Sequence, residues 1–376
     1  MSSPPSYPVD LGELEGRRFE CIEGCGLCCL CQPELLEGEL PYFKRNHPER
    51  VMAKRQPHKH FALAMKKKVG SCAFLEGRRC TVYNMRPHYC RQFPFHVHVG
   101  DRVQVELDLS CRGVWTGKGE DATAAGLRLL ADNDKAIGSA FRQTNPLYTQ
   151  FFRNCLDMQI ECRPDRLRQA AMPFLGRFHE LPFLATLLEA SAEEEPVDIA
   201  KLQPMPLDRS KRRELDEAAW EAVKDSLGVA DPFDAPIYCD IEGRWNLFRL
   251  EGESIEHYLI TDEGDLEHKG GMGSEDVQLP ELTPDGARTF SDYMGILNRR
   301  DSLLGNAFYL MDDYGYEDEL PNIYYGVLAT SALDLLWRTA LVCKLAGLRT
   351  GSDGVREGII YYDMDRLDAP TIGAFL

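Results

Sequence analysis

Nine of the thirteen cysteines in this chain of 376 residues fall in its first third, at Cys21, Cys25, Cys28, Cys29, Cys31, Cys72, Cys80, Cys90 and Cys111. The other four, Cys155, Cys162, Cys239 and Cys343, are scattered. This crowding constrains the fold more than any other feature. Thiolates are soft donors that suit zinc and iron–sulfur centres, and a loop-rich segment with little apolar area needs such a staple to fold. The first twenty residues carry no apolar stretch of the secretory kind, so the expected compartment is the reducing cytoplasm, where such a cysteine count points to metal before disulfides.

Charge divides the chain in the same place. Residues 1–120 hold 18 Lys and Arg against 14 Asp and Glu; the remainder holds 25 against 46, and the whole carries −17. The acidic balance argues against nucleic acid as the partner. Apolar residues make up 44% and charged residues 27%, as in folded globular chains, and the length allows two domains. The reading is a cysteine-cluster metal-binding module over 17–120 and an acidic region over 121–376, together α+β in class.

Residues 1–16, rich in Pro and Ser, read as a loose tail. In the module, helices are expected over 34–46 and over 48–68, the latter broken near Pro57. Strands over 93–99 and 102–109 flank the turn Gly100-Asp101. Beyond it, apolar spacing predicts helices across 121–230, with 191–210 as an acidic, proline-bearing linker and a helix over 211–227. A three- or four-strand antiparallel meander is expected over 236–270, then helices across 286–347, at 286–313 and 324–347. The apolar stretch 324–347 contains Asp334, Arg338 and Lys344, which favours a buried amphipathic helix over a membrane span.

The densest motif is Phe19-Glu20-Cys21-Ile22-Glu23-Gly24-Cys25-Gly26-Leu27-Cys28-Cys29. Its C-x3-C-x2-C-C spacing lets several sulfurs converge from one tight loop, with Gly24 and Gly26 supplying backbone freedom. Adjacent Cys28 and Cys29 are expected to point apart and to serve two centres, or one centre and the core. Cys72, Cys80, Cys90 and Cys111 follow; without Cys31 the set is eight thiols, enough for two tetrahedral sulfur sites. Zinc ribbons show two separate C-x2-C knuckles, whereas here that spacing occurs only within the single loop Cys25 to Cys31. An iron–sulfur centre, 4Fe-4S in type, is therefore expected ahead of zinc, with zinc left open.

The sequence Cys72-Ala73-Phe74-Leu75, then Cys80-Thr81-Val82-Tyr83, then Arg86-Pro87-His88-Tyr89-Cys90-Arg91-Gln92-Phe93-Pro94 completes a pattern. It resembles the YkgJ-type cysteine-cluster family, described as a zinc- or iron-chelating domain, over roughly 19–119. The resemblance implies Cys21, Cys25, Cys28, Cys29, Cys72, Cys80 and Cys90 as ligands, with Cys111 added and Cys31 extra. Cys90-Arg91-Gln92-Phe93-Pro94 is also similar to an element of the flagellin lysine-N-methylase family, which implies, as an alternative, an iron–sulfur protein methylase using S-adenosylmethionine. No glycine-rich nucleotide loop follows a clear strand, and Gly270-Gly271-Met272-Gly273 reads as a turn. The spacing Cys21-x3-Cys25-x2-Cys28 is shared with radical S-adenosylmethionine enzymes, but Leu27 stands where those carry an aromatic residue, and no strand–helix alternation follows.

Plainer roles suit the remaining polar groups. The basic stretch 44–68, with nine Lys and Arg against Glu49 and with His47, His58 and His60, is expected to be a solvated helix face or to dock on the acidic region. His88, His96 and His98 read as surface or hydrogen-bonding groups. Tyr83, Arg86 and Arg91 are candidate donors to cluster sulfurs. Met311-Asp312-Asp313-Tyr314 and Asp363-Met364-Asp365 read as solvated helix ends. The functional expectation is a cytoplasmic metal-binding protein with an electron-transfer, maturation or partner-binding role, and with an unidentified protein as partner or substrate.

Overall fold

In the computed structural model, residues 7–55, 59–230 and 234–375 are described. The amino-terminal third is built from short pieces: β1 (Val9–Asp10), β2 (Arg18–Phe19), β3 (Glu34–Leu35), α1 (Leu40–Asn46), β4 (Val51–Lys54), β5 (His60–Leu63), β6 (Leu75–Glu76), β7 (Arg79–Cys80), α2 (His88–Gln92), β8 (Phe95–Val99), β9 (Val103–Leu107) and β10 (Glu120–Asp121). Longer elements follow: α3 (Ala122–Asp157), α4 (Pro164–Ala171), α5 (Leu181–Ser191), α6 (Arg209–Leu227), β11 (Ile237–Cys239), β12 (Trp245–Glu251), β13 (Ser254–Ile260), β14 (Leu266–Gly273), α7 (Pro284–Leu297), α8 (Asp301–Asp313), α9 (Leu320–Ala346), α10 (Ser352–Leu367) and β15 (Ala374–Phe375). The fold is α+β, with helices and short antiparallel sheets.

The helix starts follow from local chemistry. Asp121 caps α3 by accepting from the Ala124 amide at 2.8 Å, Asp208 caps α6 through the Lys211 amide, and Thr283 caps α7 ahead of Pro284. Gly347, at φ 64°, ends α9 in the left-handed conformation. β8 and β9 pair about the Gly100-Asp101 turn with Val97 opposite Val105. β1 lies parallel to β9 and β15 antiparallel to β8, so the order is β1-β9-β8-β15. β11 to β14 form the expected meander in sequential order. One large core joins Leu14, Val105 and Leu107 with Phe151, Phe308, Leu336 and Tyr361.

Several expectations are corrected. Among the described residues, 48–68 form no α-helix: between short 3-10 turns at Pro48–Arg50 and Lys66–Lys68, β4 and β5 pair with Ala53 opposite Phe61, and β3 adds a third strand. The Ala, Met and Lys content favours helix locally, but cross-strand pairing and burial of Ala62 and Leu63 override it. The break at Pro57, and His58, lie outside the described residues, as do the first six residues of the expected tail. The rest of that tail is held: Tyr7 and Leu14 are buried and β1 pairs with β9. Residues 34–39 hold β3 rather than helix. Helix 286–313 is two helices, α7 and α8, parted at Asn298 to Arg300. Gly270, Gly271 and Gly273 lie in β14, not in a turn. Finally, α10 went unpredicted, and Asp363 within it is fully buried rather than solvated.

α9 is the one described helix long and apolar enough to cross a membrane, and 78% of its most apolar window is buried within the protein. Two of its charges meet inside, while Lys344 is exposed: Arg338 Nε donates to Asp334 at 2.6 Å, and Arg338 also pairs with Asp365.

Candidate metal centre

The loop bearing Cys21 to Cys29 is wound tightly. Gly26 at φ 61° turns the chain into a 3-10 turn over Leu27–Cys29, closed by the Cys29 amide on the Gly26 carbonyl at 3.0 Å. A side chain at Gly26 would meet Trp245 and Leu75 within 3.2 Å. The Cys72 amide donates to the Cys29 carbonyl at 2.7 Å, which brings the second group of cysteines onto the first. Cys80 ends β7, Cys90 sits in α2, and Cys111 precedes the turn Arg112–Trp115.

All eight predicted thiols, Cys21, Cys25, Cys28, Cys29, Cys72, Cys80, Cys90 and Cys111, line a single cavity of about 500 Å³, and Cys31 lines it too. Apolar walls come from Leu27, Leu63, Phe74, Leu75, Val82 and Phe93; Arg78, Arg79 and Arg86 supply positive charge. No histidine lines it among the described residues. All thirteen cysteines are free. As the side chains stand, no group of three or more His, Cys, Asp or Glu among the described residues is gathered to hold a metal ion. The sulfurs surround a space rather than closing on a point.

Cys28 is central electrostatically. Burial, the largest cause, pushes the thiols of Cys21, Cys31, Cys72, Cys80, Cys90 and Cys111 upward, and the charge of Cys28 adds to the rise in each. Cys72 and Cys31 are raised to about 11 and Cys90 to about 12. Cys28 itself is lowered, first by the hydrogen bond from Cys29, which is raised.

The meander forms one wall. Trp245 Nε1 donates to the Cys25 carbonyl at 2.8 Å, and Arg78 stacks on the Trp245 ring at 3.4 Å while donating to the Cys25 and Gly243 carbonyls. Leu27, Leu75, Cys239, Trp245 and Ile260 share a small core. Cys239 Sγ donates to Cys25 Sγ at 3.6 Å, and that bond is the main cause lowering Cys25 to about 6. Sequence position alone had left Cys239 among the scattered cysteines. The β-rich runs around Trp245 signal a packed sheet, but not what it packs on.

Other candidates have local roles. Tyr83 and Arg86 line the cavity, with Arg86 Nε donating to the Tyr83 carbonyl at 3.0 Å. Arg91 faces Glu39 at 3.6 Å instead. His98 Nε2 meets Thr371 at 3.2 Å, and His96 faces Asp108 at 3.7 Å. In the basic stretch, Lys44 covers the Phe61 ring, Arg50 donates to the Ala73 carbonyl, and Lys67 pairs with Asp265 of the acidic region at 2.8 Å.

No curated protein and no solved structure matches the chain. Residues 20–112, a quarter of the chain, match the model of the CxxCxxCC family, described as a "Putative zinc- or iron-chelating domain". The matched segment begins one residue before Cys21 and ends one after Cys111, spanning all nine thiols of the cavity. By this match, residues 20–112 are similar to a cysteine-cluster domain of the zinc- or iron-chelating kind.

Proposed function

We propose that the cavity holds an iron–sulfur centre and that the protein exchanges electrons with a protein partner in the cytoplasm. The observation that carries this reading is the convergence of nine thiols on one space of about 500 Å³. The donor set fits: soft sulfur without histidine or a carboxylate cluster selects zinc or iron–sulfur over hard cations. The size favours the cluster. A structural zinc closes four ligands at about 2.3 Å around a single ion, and needs no such cavity.

The chain's own groups divide the work. The thiolates of Cys21, Cys25, Cys28, Cys29, Cys72, Cys80, Cys90 and Cys111 would bind. Arg78 and Arg86 offset their charge, and Leu27, Leu75 and Phe74 keep water out. An iron–sulfur centre, when bound, supplies one-electron chemistry. Exposed Cys21 and Tyr83, 43% exposed, place the mouth at the surface, where a partner can approach. The gathering of thiols that the free side chains lack would come with binding, since metal binding and folding are coupled in such modules.

Anaerobic purification followed by iron, zinc and acid-labile sulfide analysis tests this. A brown protein with iron and sulfide is expected; a colourless one with two zinc ions overturns the redox role. Cys28→Ser is expected to lower bound metal and Cys343→Ser to leave it unchanged. Equal content in both variants rejects the site.

A further inference from the structure

We infer that Cys239, from the acidic region, is an additional thiolate ligand of the centre, beside Cys25. The inference rests on the metal reading above and deepens it, because Cys239 lies far outside the matched residues 20–112.

The geometry is that of two ligands on one ion. The sulfurs of Cys25 and Cys239 are 3.6 Å apart. Tetrahedral bonds of about 2.3 Å place neighbouring sulfurs about 3.8 Å apart, whereas a disulfide requires about 2.05 Å. Cys239 is fully buried, and beyond Cys25 Sγ its thiol finds only the carbonyls of Cys25 and Asp240, each at 3.9 Å.

The position is fixed from several sides. Arg112 Nε donates to the Cys239 carbonyl at 2.6 Å, one residue after the predicted ligand Cys111. Arg112 also pairs with Glu357 of α10. Cys239 pairs in the sheet with Trp245, whose indole holds the Cys25 carbonyl. The same few residues thus orient a thiol of the meander and a thiol of the cysteine loop toward each other. Ligation would break the Cys239 S–H bond, form a sulfur–metal bond and release the proton to solvent, with no change in oxidation state.

The test compares wild type, Cys239→Ala, Cys239→Val and Cys343→Ser, purified anaerobically, by metal and sulfide per chain and by the visible absorption and electron paramagnetic resonance spectra. Expected is a loss of at least half the metal, or a changed spectrum, in both Cys239 variants, with far-ultraviolet circular dichroism unchanged and Cys343→Ser like wild type. A folded Cys239 variant with wild-type metal and spectrum overturns the inference while leaving the metal reading intact. A wild type without metal overturns the reading itself. If neither variant folds, alkylation of the wild type in mild denaturant decides. Protection of Cys239 that a chelator removes together with that of Cys25 supports ligation; protection indifferent to the chelator overturns it.

Discussion

The Trp245 indole nitrogen donates to the Cys25 carbonyl at 2.8 Å across 220 residues of sequence. This bond ties the meander to the cysteine loop. Trp245 is fully buried and carries the Arg78 guanidinium on its face. Trp245→Phe, which keeps most of the packing but loses the donor, is expected to cost about 1 kcal/mol. Trp245→Ala is expected to cost about 3–5 kcal/mol. Urea unfolding of the two variants measures the difference; a Trp245→Phe variant as stable as wild type would deny the hydrogen bond its role.

Gly243 forms the tip beside this contact. Its φ is +75°, and a β-carbon there would stand 2.6 Å from the Gly24 carbonyl oxygen. Strain of about 1–3 kcal/mol is expected from the backbone alone in Gly243→Ala. Because the clash falls on the cysteine loop, bound metal should drop with stability. Gly252→Ala, also at positive φ but with open space, should lose stability and keep its metal. Metal analysis of both folded variants checks this.

Arg300 anchors the end of the β8–β9 hairpin away from its Gly100-Asp101 turn. It is 1% exposed, pairs with Asp363 at 2.6 Å and Glu13 at 2.8 Å, and donates to the Leu107 carbonyl. Asp363 also accepts from Tyr293 and from the Leu109 amide. Removing one partner of such a buried pair strands the other, so Asp363→Ala is expected to cost about 3–5 kcal/mol by denaturant unfolding. A cost below 1 kcal/mol would show that Glu13 alone satisfies the guanidinium.

Two groups on this hairpin make stability depend on pH in opposite directions. Burial raises the Glu106 carboxyl from 4.5 to about 7, only partly offset by Arg300 and Ser302. The unfolded chain therefore loses a proton that the folded chain keeps. Glu106's contribution is full below pH 4.5 and is lost as pH rises through 7. Burial lowers His98 from 6.5 to about 4, so its contribution is present above pH 6.5 and is lost as pH falls toward 4. Relative to wild type, Glu106→Gln should gain about 3 kcal/mol between pH 4 and 8, and His98→Gln about as much between pH 7 and 4. Unfolding series across pH measure both; flat differences would rule the titrations out.

What the sequence disclosed and what it withheld differ in range. The hairpin about Gly100-Asp101, the helix beginning near residue 121 and the meander strands β12 and β13 are written in neighbouring residues, and they stand as expected. The convergence of the cysteines on one cavity follows their local spacing. The failures are all long-range. β4 and β5 read as helix until Leu63 and Phe74 are needed as cavity walls. Asp363 reads as solvated until Arg300 reaches it. Cys239 reads as incidental because nothing within ten residues signals Cys25. Spacing reports a ligand on its own loop and is silent about one delivered by a distant strand.

The clasp of Trp245 over Cys25 also has a consequence in time. Ribosomes build from the amino end, so all nine clustered thiols are made more than a hundred residues before the indole that covers them. For that interval the nascent segment is uncovered, open to metal insertion and equally to oxidants. A pulse of alkylating reagent during synthesis would mark Cys25 early and spare it once the meander has emerged.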